Sequence, residues 1–218
     1  MRAARILLVD YGFLRSIAGR APVDARGREL PWYTYPAIEY ITQLDFSDAA
    51  VFEFGAGYSS LFWARRARRV VSVEEDEAWY REVVGRLPPH CEVRFEPDLD
   101  RYADAILATG ERFDVIVIDG GDRYKCAQRV GRALKPGGLV ILDNSDWAPE
   151  SSRVLRALGL IEVDMFGFTP GNSFTGATSF YFDRMFARRP LNDRQPHYGI
   201  GARNIDWEIT LTEQRRRG

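Results

Sequence analysis

The chain has 218 residues, 45% of them hydrophobic and 28% charged, with a formal net charge of -1. That length suffices for one domain with a sizeable buried core, and the near-neutral balance offers no global attraction for nucleic acid or an anionic membrane. No apolar run approaches the length of a membrane span; Ile6-Leu7-Leu8-Val9 is too short for a signal-peptide core and closes on Asp10.

The two cysteines, Cys91 and Cys126, each fall in a predicted core element. This fits a reducing cytoplasm with no disulfide framework. The positive charge is almost all arginine, Lys125 and Lys135 being the only lysines, which reads as the codon bias of a bacterial genome.

In chain order, residues 6–17 read as a short helix and residues 19–30 as a polar loop rich in Gly and Arg. Pro31-Trp32-Tyr33-Thr34-Tyr35-Pro36 is an aromatic cluster ahead of a predicted helix over 37–44. From Val51 on, strands and helices alternate. Strands are predicted at 51–54, 70–74, 91–95, 113–118, 138–142, 160–166 and 177–183, and helices at 59–68, 77–86, 99–109, 123–134 and 150–158. Pro88-Pro89 breaks the chain, and Pro136-Gly137-Gly138 reads as a turn into the fifth strand. Such alternation builds a parallel sheet covered on both faces, with right-handed crossovers. Residues 167–178 read as a turn-rich loop, and residues 186–218 as an irregular polar tail whose Arg215, Arg216 and Arg217 are solvated charge. No internal repeat is found.

The most informative stretch is Val51-Phe52-Glu53-Phe54-Gly55-Ala56-Gly57-Tyr58-Ser59-Ser60. An apolar strand ends in a glycine turn that opens a helix. Glycine permits the tight turn and close approach of a ligand, and the N–H groups of the helix start face whatever lies in the turn. A dinucleotide fingerprint would place a third glycine where Ser60 stands. The second strand, Val70-Val71-Ser72-Val73, ends in Glu74-Glu75-Asp76, about 20 residues beyond the glycine turn, where an acid can accept from ribose hydroxyls.

Glu53-x-Gly55-x-Gly57 with Glu74 resembles the cofactor motifs of class I S-adenosylmethionine-dependent methyltransferases, and Phe113–Gly120 and Leu134–Asn144 resemble that family's fourth and fifth strands. The resemblance covers about residues 36–185. It implies an α/β, Rossmann-like sheet of seven mostly parallel strands in the order 3-2-1-4-5-7-6, with helices on both faces. It divides the chain into an arm and helix over the cofactor site (1–45), a core (46–185) and a tail (186–218). Cofactor contacts then fall to Glu53, Gly55, Ala56, Gly57, Tyr58, Ser59, Glu74, Glu75, Asp98 and Asp119. By the resemblance Glu53 orients the turn and is a candidate contact to the amino group of the methionine moiety. Glu75 and Asp76 compete with Glu74 or serve as acids at a helix start, and Asp98 is either an adenine contact or a helix cap. The aromatic cluster either lines the mouth of the site or packs the arm onto the sheet.

Asp119, Asp143 and Asn144 each follow a buried strand and should emerge at the carboxyl edge. Two carboxylates and an amide oxygen suit Mg²⁺ or another divalent ion, and their pattern resembles metal-dependent O-methyltransferases of the catechol and caffeoyl-CoA type. There a metal holds and acidifies the acceptor hydroxyl. Those families carry a lysine three residues after the first Asp; here that position is Asp122, with Lys125 nearby. Asp122 is therefore either a substitute base or a cap, and Asp119, Asp122 and Asp143 form the candidate catalytic set. His90 lies at the wrong end of the sheet for catalysis, and His197 is reachable only if the tail folds over the site. Trp147, Phe166, Phe168 and Phe174 are either core or the wall of an apolar pocket.

The expectation is a cytoplasmic S-adenosylmethionine-dependent enzyme that methylates an oxygen of a small-molecule or glycan-type acceptor, with a divalent metal or without one. No nucleic-acid or membrane partner is expected, and a homodimer is open. The rivals are a nicotinamide-dependent oxidoreductase and a non-catalytic protein that binds S-adenosylmethionine or a related nucleoside.

Overall fold

The computed structural model describes residues 2–192 and 196–203. Seven strands build one sheet: β1 (Ala50–Phe54), β2 (Arg69–Glu74), β3 (Cys91–Phe95), β4 (Phe113–Ile118), β5 (Leu134–Asp143), β6 (Ile161–Phe168) and β7 (Thr175–Phe182). Their order is β3-β2-β1-β4-β5-β7-β6, as the resemblance implies. Only β7 runs antiparallel to its neighbours, pairing β5 on one side and β6 on the other.

The inner strands β1, β2, β4, β5 and β7 are buried on both faces, so their apolar runs are nearly continuous, while the edge strands β3 and β6 are partly exposed along their length. Alternate residues feed two cores. Val51, Val70, Val117, Ile141 and Phe180 pack with Ile38, Ile41, Phe62 and Trp63, which come from α3 (Tyr35–Ile41) and α4 (Tyr58–Ala64). Phe52, Phe54, Val71, Ile116 and Leu142 pack on the opposite face with α6 (Leu99–Ala108), α7 (Arg123–Ala133) and α8 (Pro149–Ala157). The remaining helix of the alternating series, α5 (Glu77–Val84), follows β2.

The N-terminal region departs from the expected single helix over 6–17. A short helix α1 (Arg2–Arg5) runs into a π turn (Ile6–Asp10), and α2 (Phe13–Gly19) starts afresh. Gly12 is the break: its φ is +79°, and a Cβ there would lie 2.4 Å from the backbone of Asp24. The predicted Pro136–Gly138 turn is instead part of β5, which begins at Leu134 and shifts register against β4 between Phe113 and Val115. β6 and β7 are also longer than expected, leaving a loop at 169–174.

The described part of the tail lies along α3. Leu191 N–H donates to Gln43 O, His197 N–H to Gln43 Oε1 and Ile200 N–H to Glu39 Oε1. Arg215, Arg216 and Arg217 lie outside the described residues. No helix among the described residues is long and apolar enough to cross a membrane.

Candidate active site

Strand order reverses between β1 and β4, whose carboxyl ends therefore frame a crevice. A cavity of about 370 Å³ opens there, within the usual range for small-molecule sites. A larger groove of about 650 Å³ lies against α3 and the tail and contains none of the glycine turn or strand-end acids. His197 lines that groove and not the crevice, so the tail does not bring it over the site. His90 lies away from the crevice, its Nε2 donating to Ala64 O at 2.9 Å.

The glycine turn is held from below. Gly57 N–H donates to Ser60 Oγ, which donates to Glu53 Oε2 at 2.5 Å; Ser72 Oγ from β2 donates to the same oxygen. Ser60, where a dinucleotide fingerprint would have glycine, thus couples the turn to Glu53. Glu53 is fully buried, and its Oε1 has no partner. Burial pushes its carboxyl up to about 7, against the lowering effect of the hydroxyls of Ser60, Ser59 and Ser72. Glu53 therefore orients the turn from beneath and does not line the crevice.

Gly55 has φ +93°, and a Cβ would stand 2.8 Å from Gly120 Cα. The ends of β1 and β4 touch through these two glycines. Trp79 of α5 roofs the turn, its Nε1 donating to Ala56 O at 2.6 Å. Trp32 and Tyr58 continue this aromatic wall, with ring centroids 5.7 Å apart, and Tyr58 and Trp79 lie 6.1 Å apart.

At the end of β2, Glu74 accepts Ala56 N–H on Oε2 and Asp76 N–H on Oε1. Glu75 also lines the crevice, and its Oε2 is buried without a partner. The acid with an uncommitted acceptor is thus Glu75, while Glu74 ties the turn to β2. Asp76 caps α5 through Trp79 N–H.

Asp119 directly follows β4, its N–H donating to Phe54 O. Asp143 ends β5 and is almost fully buried; Thr178 Oγ donates to its Oδ1 at 2.6 Å. Burial raises both carboxyls. Arg123 offsets the rise at Asp119, while the neighbouring Asp119 charge drives Asp143 further up. As a pair they titrate above the ordinary carboxylate range, with Asp119 ionising first.

Two predicted residues stand elsewhere. Asp98 caps α6, accepting from Asp100 and Arg101 N–H, and is outside the crevice lining. Asp122 caps α7 through Lys125 N–H and pairs with the Lys125 ammonium at 3.6 Å. Its carboxylate is spent there and does not line the crevice.

The metal expectation meets an obstacle in the donor set. Arg123 Nη2 donates to Asp119 Oδ1 at 3.2 Å and to Asn144 Oδ1 at 3.0 Å. A cation already joins two of the three proposed ligands, and a divalent ion beside it would be repelled. Among the described residues no cluster of three or more His, Cys, Asp or Glu is arranged for a metal. Asp119, Asp143 and Asn144 therefore do not fit a resident divalent ion.

S-adenosylmethionine does fit. Glu75 Oε2 is a free buried acceptor for hydroxyl donors, the glycine turn admits a close ligand, and the aromatic wall offers a flat apolar surface. Of the residues named from sequence as cofactor contacts, Gly55, Ala56, Gly57, Tyr58, Ser59, Glu74, Glu75 and Asp119 line the crevice, together with Trp79, which the sequence reading missed. On the β5–β7 side stand Asp143, Asn144, Trp147, Thr169, Asn172 and Phe174. Phe166 and Phe168, from the same aromatic group, do not line it.

No protein-family model and no curated protein sequence matches the chain. Solved structures do. Precorrin 8w decarboxylase from Methanobacterium thermoautotrophicum is similar at 19% identity over 70% of this chain and 92% of its own, with a TM-score of 0.52. The fibrillarin pre-rRNA processing protein of Methanococcus jannaschii is similar at 16% identity over 69% and 76%, with a TM-score of 0.53. Precorrin-6y C5,15-methyltransferase from Geobacter metallireducens is similar at 15% identity over 67% and 86%, with a TM-score of 0.50. With this strand order and these neighbours, the chain has the fold of the class I S-adenosylmethionine-dependent methyltransferases.

Proposed function

We propose that the chain is an S-adenosylmethionine-dependent methyltransferase acting on an oxygen of a small-molecule or glycan-type acceptor. The observation that carries the reading is the meeting of two sets of residues in one crevice: the glycine turn with Glu75, and the strand-end pair Asp119 and Asp143. Glu75, Tyr58, Ser59 and the turn would hold the cofactor. When bound, it supplies an electrophilic methyl carbon on a sulfonium, whose sulfur keeps the bonding electron pair as the methyl leaves.

Asp119 is the base of this reading. It ionises before Asp143, is partly open to the crevice and accepts the acceptor's hydroxyl proton as the oxygen forms its new bond to carbon. Asp143 keeps its proton to higher pH and can hydrogen-bond the same oxygen. The crevice is lined by Glu74, Glu75, Asp119 and Asp143 and by no Lys, Arg or His among the described residues. Such a field favours an uncharged or cationic acceptor over an anionic one. Trp147 and Phe174, 6.4 Å apart, offer a wall for a flat or apolar face. Holding acceptor and methyl donor together supplies the larger part of the acceleration.

The test is a thermal-shift comparison of S-adenosylhomocysteine with NAD⁺, followed by methyl transfer to uncharged hydroxyl compounds. A ligand at about 100 times its Kd stabilises by roughly 2.7 kcal/mol, which is on the order of 5–10 °C for a chain of this size. A shift with NAD⁺ alone would replace the reading with that of an oxidoreductase. Binding of S-adenosylhomocysteine with Asp119→Asn fully active would remove Asp119 from its role.

A further inference from the structure

We infer that Arg123 is a built-in cation that positions Asp119 and Asn144 for the acceptor, in the place where related chemistry would use a metal ion. The inference rests on the methyltransferase reading for its activity readout only.

Arg123 is the first residue of α7. The chain leaves β4 through Asp119, crosses Gly120 and Gly121, and is turned into the helix by the Asp122 cap. Gly120 has no room for a side chain, since a Cβ would meet the Tyr102 hydroxyl at 2.0 Å. This tight turn brings the guanidinium back over the end of β4. There one nitrogen, Nη2, donates to Asp119 O, Asp119 Oδ1 and Asn144 Oδ1 at 3.3, 3.2 and 3.0 Å. The contact spans 21 residues and joins the ends of β4 and β5.

Two features mark this as more than a surface ion pair. Asn144 is left-handed, with φ +48° and ψ +46°, a conformation that needs holding in a non-glycine residue. Its side-chain oxygen is anchored by Arg123. The guanidinium also lies largely out of water: the Arg123 side chain is 23% exposed, and its Nε is buried without a partner. It stands directly behind a crevice whose charged lining is entirely acidic, as its countercharge.

A metal in this position would bind Asp119 and Asn144, fix their angle and balance the charge of Asp119. Arg123 does each of these through hydrogen bonds. It does not itself line the crevice, so it is a positioning residue.

The experiment uses the full chain as wild type, Arg123→Ala and Arg123→Lys, with three readouts: melting temperature with and without Mn²⁺ or a chelator, S-adenosylhomocysteine affinity, and kcat and KM for the acceptor. The wild type is expected to melt at one temperature with Mn²⁺ or chelator. Arg123→Ala is expected to keep cofactor affinity and acceptor KM while kcat falls by about 10- to 100-fold, the usual cost of losing a residue that orients a site. Arg123→Lys, which keeps the charge, is expected to recover most of that loss. A Mn²⁺-dependent rise in wild-type melting temperature that disappears in Asp119→Ala would overturn the inference. So would equal kcat in the Ala and Lys variants. If Arg123→Ala does not fold, the wild-type Mn²⁺ titration and the kcat of Arg123→Lys against wild type still decide: a Mn²⁺-inert wild type with a Lys variant retaining most of its kcat supports it. Failure of S-adenosylhomocysteine to bind the wild type would sink the methyltransferase reading and leave the Mn²⁺ result standing.

Discussion

The Thr178 hydroxyl donates to Asp143 Oδ1 at 2.6 Å and accepts Thr34 N–H at 2.9 Å, so the N-terminal arm and the last residue of β5 share one buried oxygen. Thr34 and Thr178 are both fully buried, and Thr34 Oγ also donates to Met165 O of β6. Thr178→Val keeps the shape and removes the hydroxyl. Asp143 and the Thr34 N–H would then both be buried without this partner, at a cost of roughly 1–3 kcal/mol each, partly relieved by relaxation. Urea unfolding should show Thr178→Val destabilised by at least about 1 kcal/mol and Thr178→Ser near wild type. An equally stable Thr178→Val would mean that the arm is held by its aromatic residues alone.

The sheet was legible because its strands are short runs of apolar, often β-branched residues, such as Val70–Val73 and Val115–Ile118, bounded by turn residues. Acids that close such runs must surface at the carboxyl edge, which is why Asp119 and Asp143 were found from sequence. Arg123 was not. Its i,i+4 spacing from Asp119 is a signal on a helix face, but here the pair is separated by a glycine turn whose path no local pattern fixes. Neither Thr34 nor Thr178 was legible, because the partners are 144 residues apart. Glu74 and Glu75 are neighbours of one type, and only the burial of each carboxylate separates their roles. The same limit applies to Asp98 and Asp122. Asp98 was a candidate from its place after the third strand and Asp122 from standing where the resembled family carries a lysine, yet each is followed by a helix whose free N–H groups claim the carboxylate first.

Gly55 and Gly57 should respond differently to substitution. Gly55 is in the left-handed region, and any Cβ collides with the backbone of Gly120. Gly55→Ala therefore combines backbone strain with overlap and should cost several kcal/mol, on the order of 2–4. Gly57 has an extended φ of 167°, and a Cβ would meet only the Trp79 ring, at 3.4 Å. Gly57→Ala should fold with a loss of about 1 kcal/mol or less. Gly57→Val presses on Trp79 and narrows the crevice, so S-adenosylhomocysteine affinity should drop while the fold persists. Melting curves together with ligand titration separate the two effects. Unchanged affinity in Gly57→Val would take the turn out of the site.

Glu53 predicts a pH dependence of stability with a definite sign. Its folded carboxyl sits at about 7, against an ordinary value of 4.5, chiefly because it is buried. Between those values the native state binds the proton more tightly than the unfolded chain, so stability falls as pH rises. The loss begins near the ordinary value and is complete once pH has passed through about 7. It is on the order of a few kcal/mol. Asp119 and Asp143, also raised by burial, act in the same direction. Glu53→Gln keeps an oxygen for Ser60 and Ser72 and cannot ionise. Relative to wild type, its melting temperature should improve steadily from about pH 5 to about pH 8. A constant difference across that range would mean that Glu53 is ionised throughout.

Trp147 and Phe174 should report on the acceptor and on nothing else. Their side chains are large, apolar and mostly exposed, at 62% and 53%, and both border the crevice beside Asn144. Little packing is lost when such a residue is truncated, so Trp147→Ala and Phe174→Ala should change stability by about 0.5 kcal/mol or less. The Trp32, Tyr58 and Trp79 wall is separate in sequence and borders the glycine turn, so S-adenosylhomocysteine affinity should also be unchanged. An aromatic contact to a bound ring or apolar face is worth about 0.5–1.5 kcal/mol. Each substitution should therefore raise acceptor KM by roughly 2- to 12-fold with kcat little altered, the pattern of binding lost equally from ground and transition states. Steady-state kinetics against both substrates makes the distinction. If cofactor KM rises instead, this wall belongs to the cofactor, and the acceptor must enter from the Trp32 side.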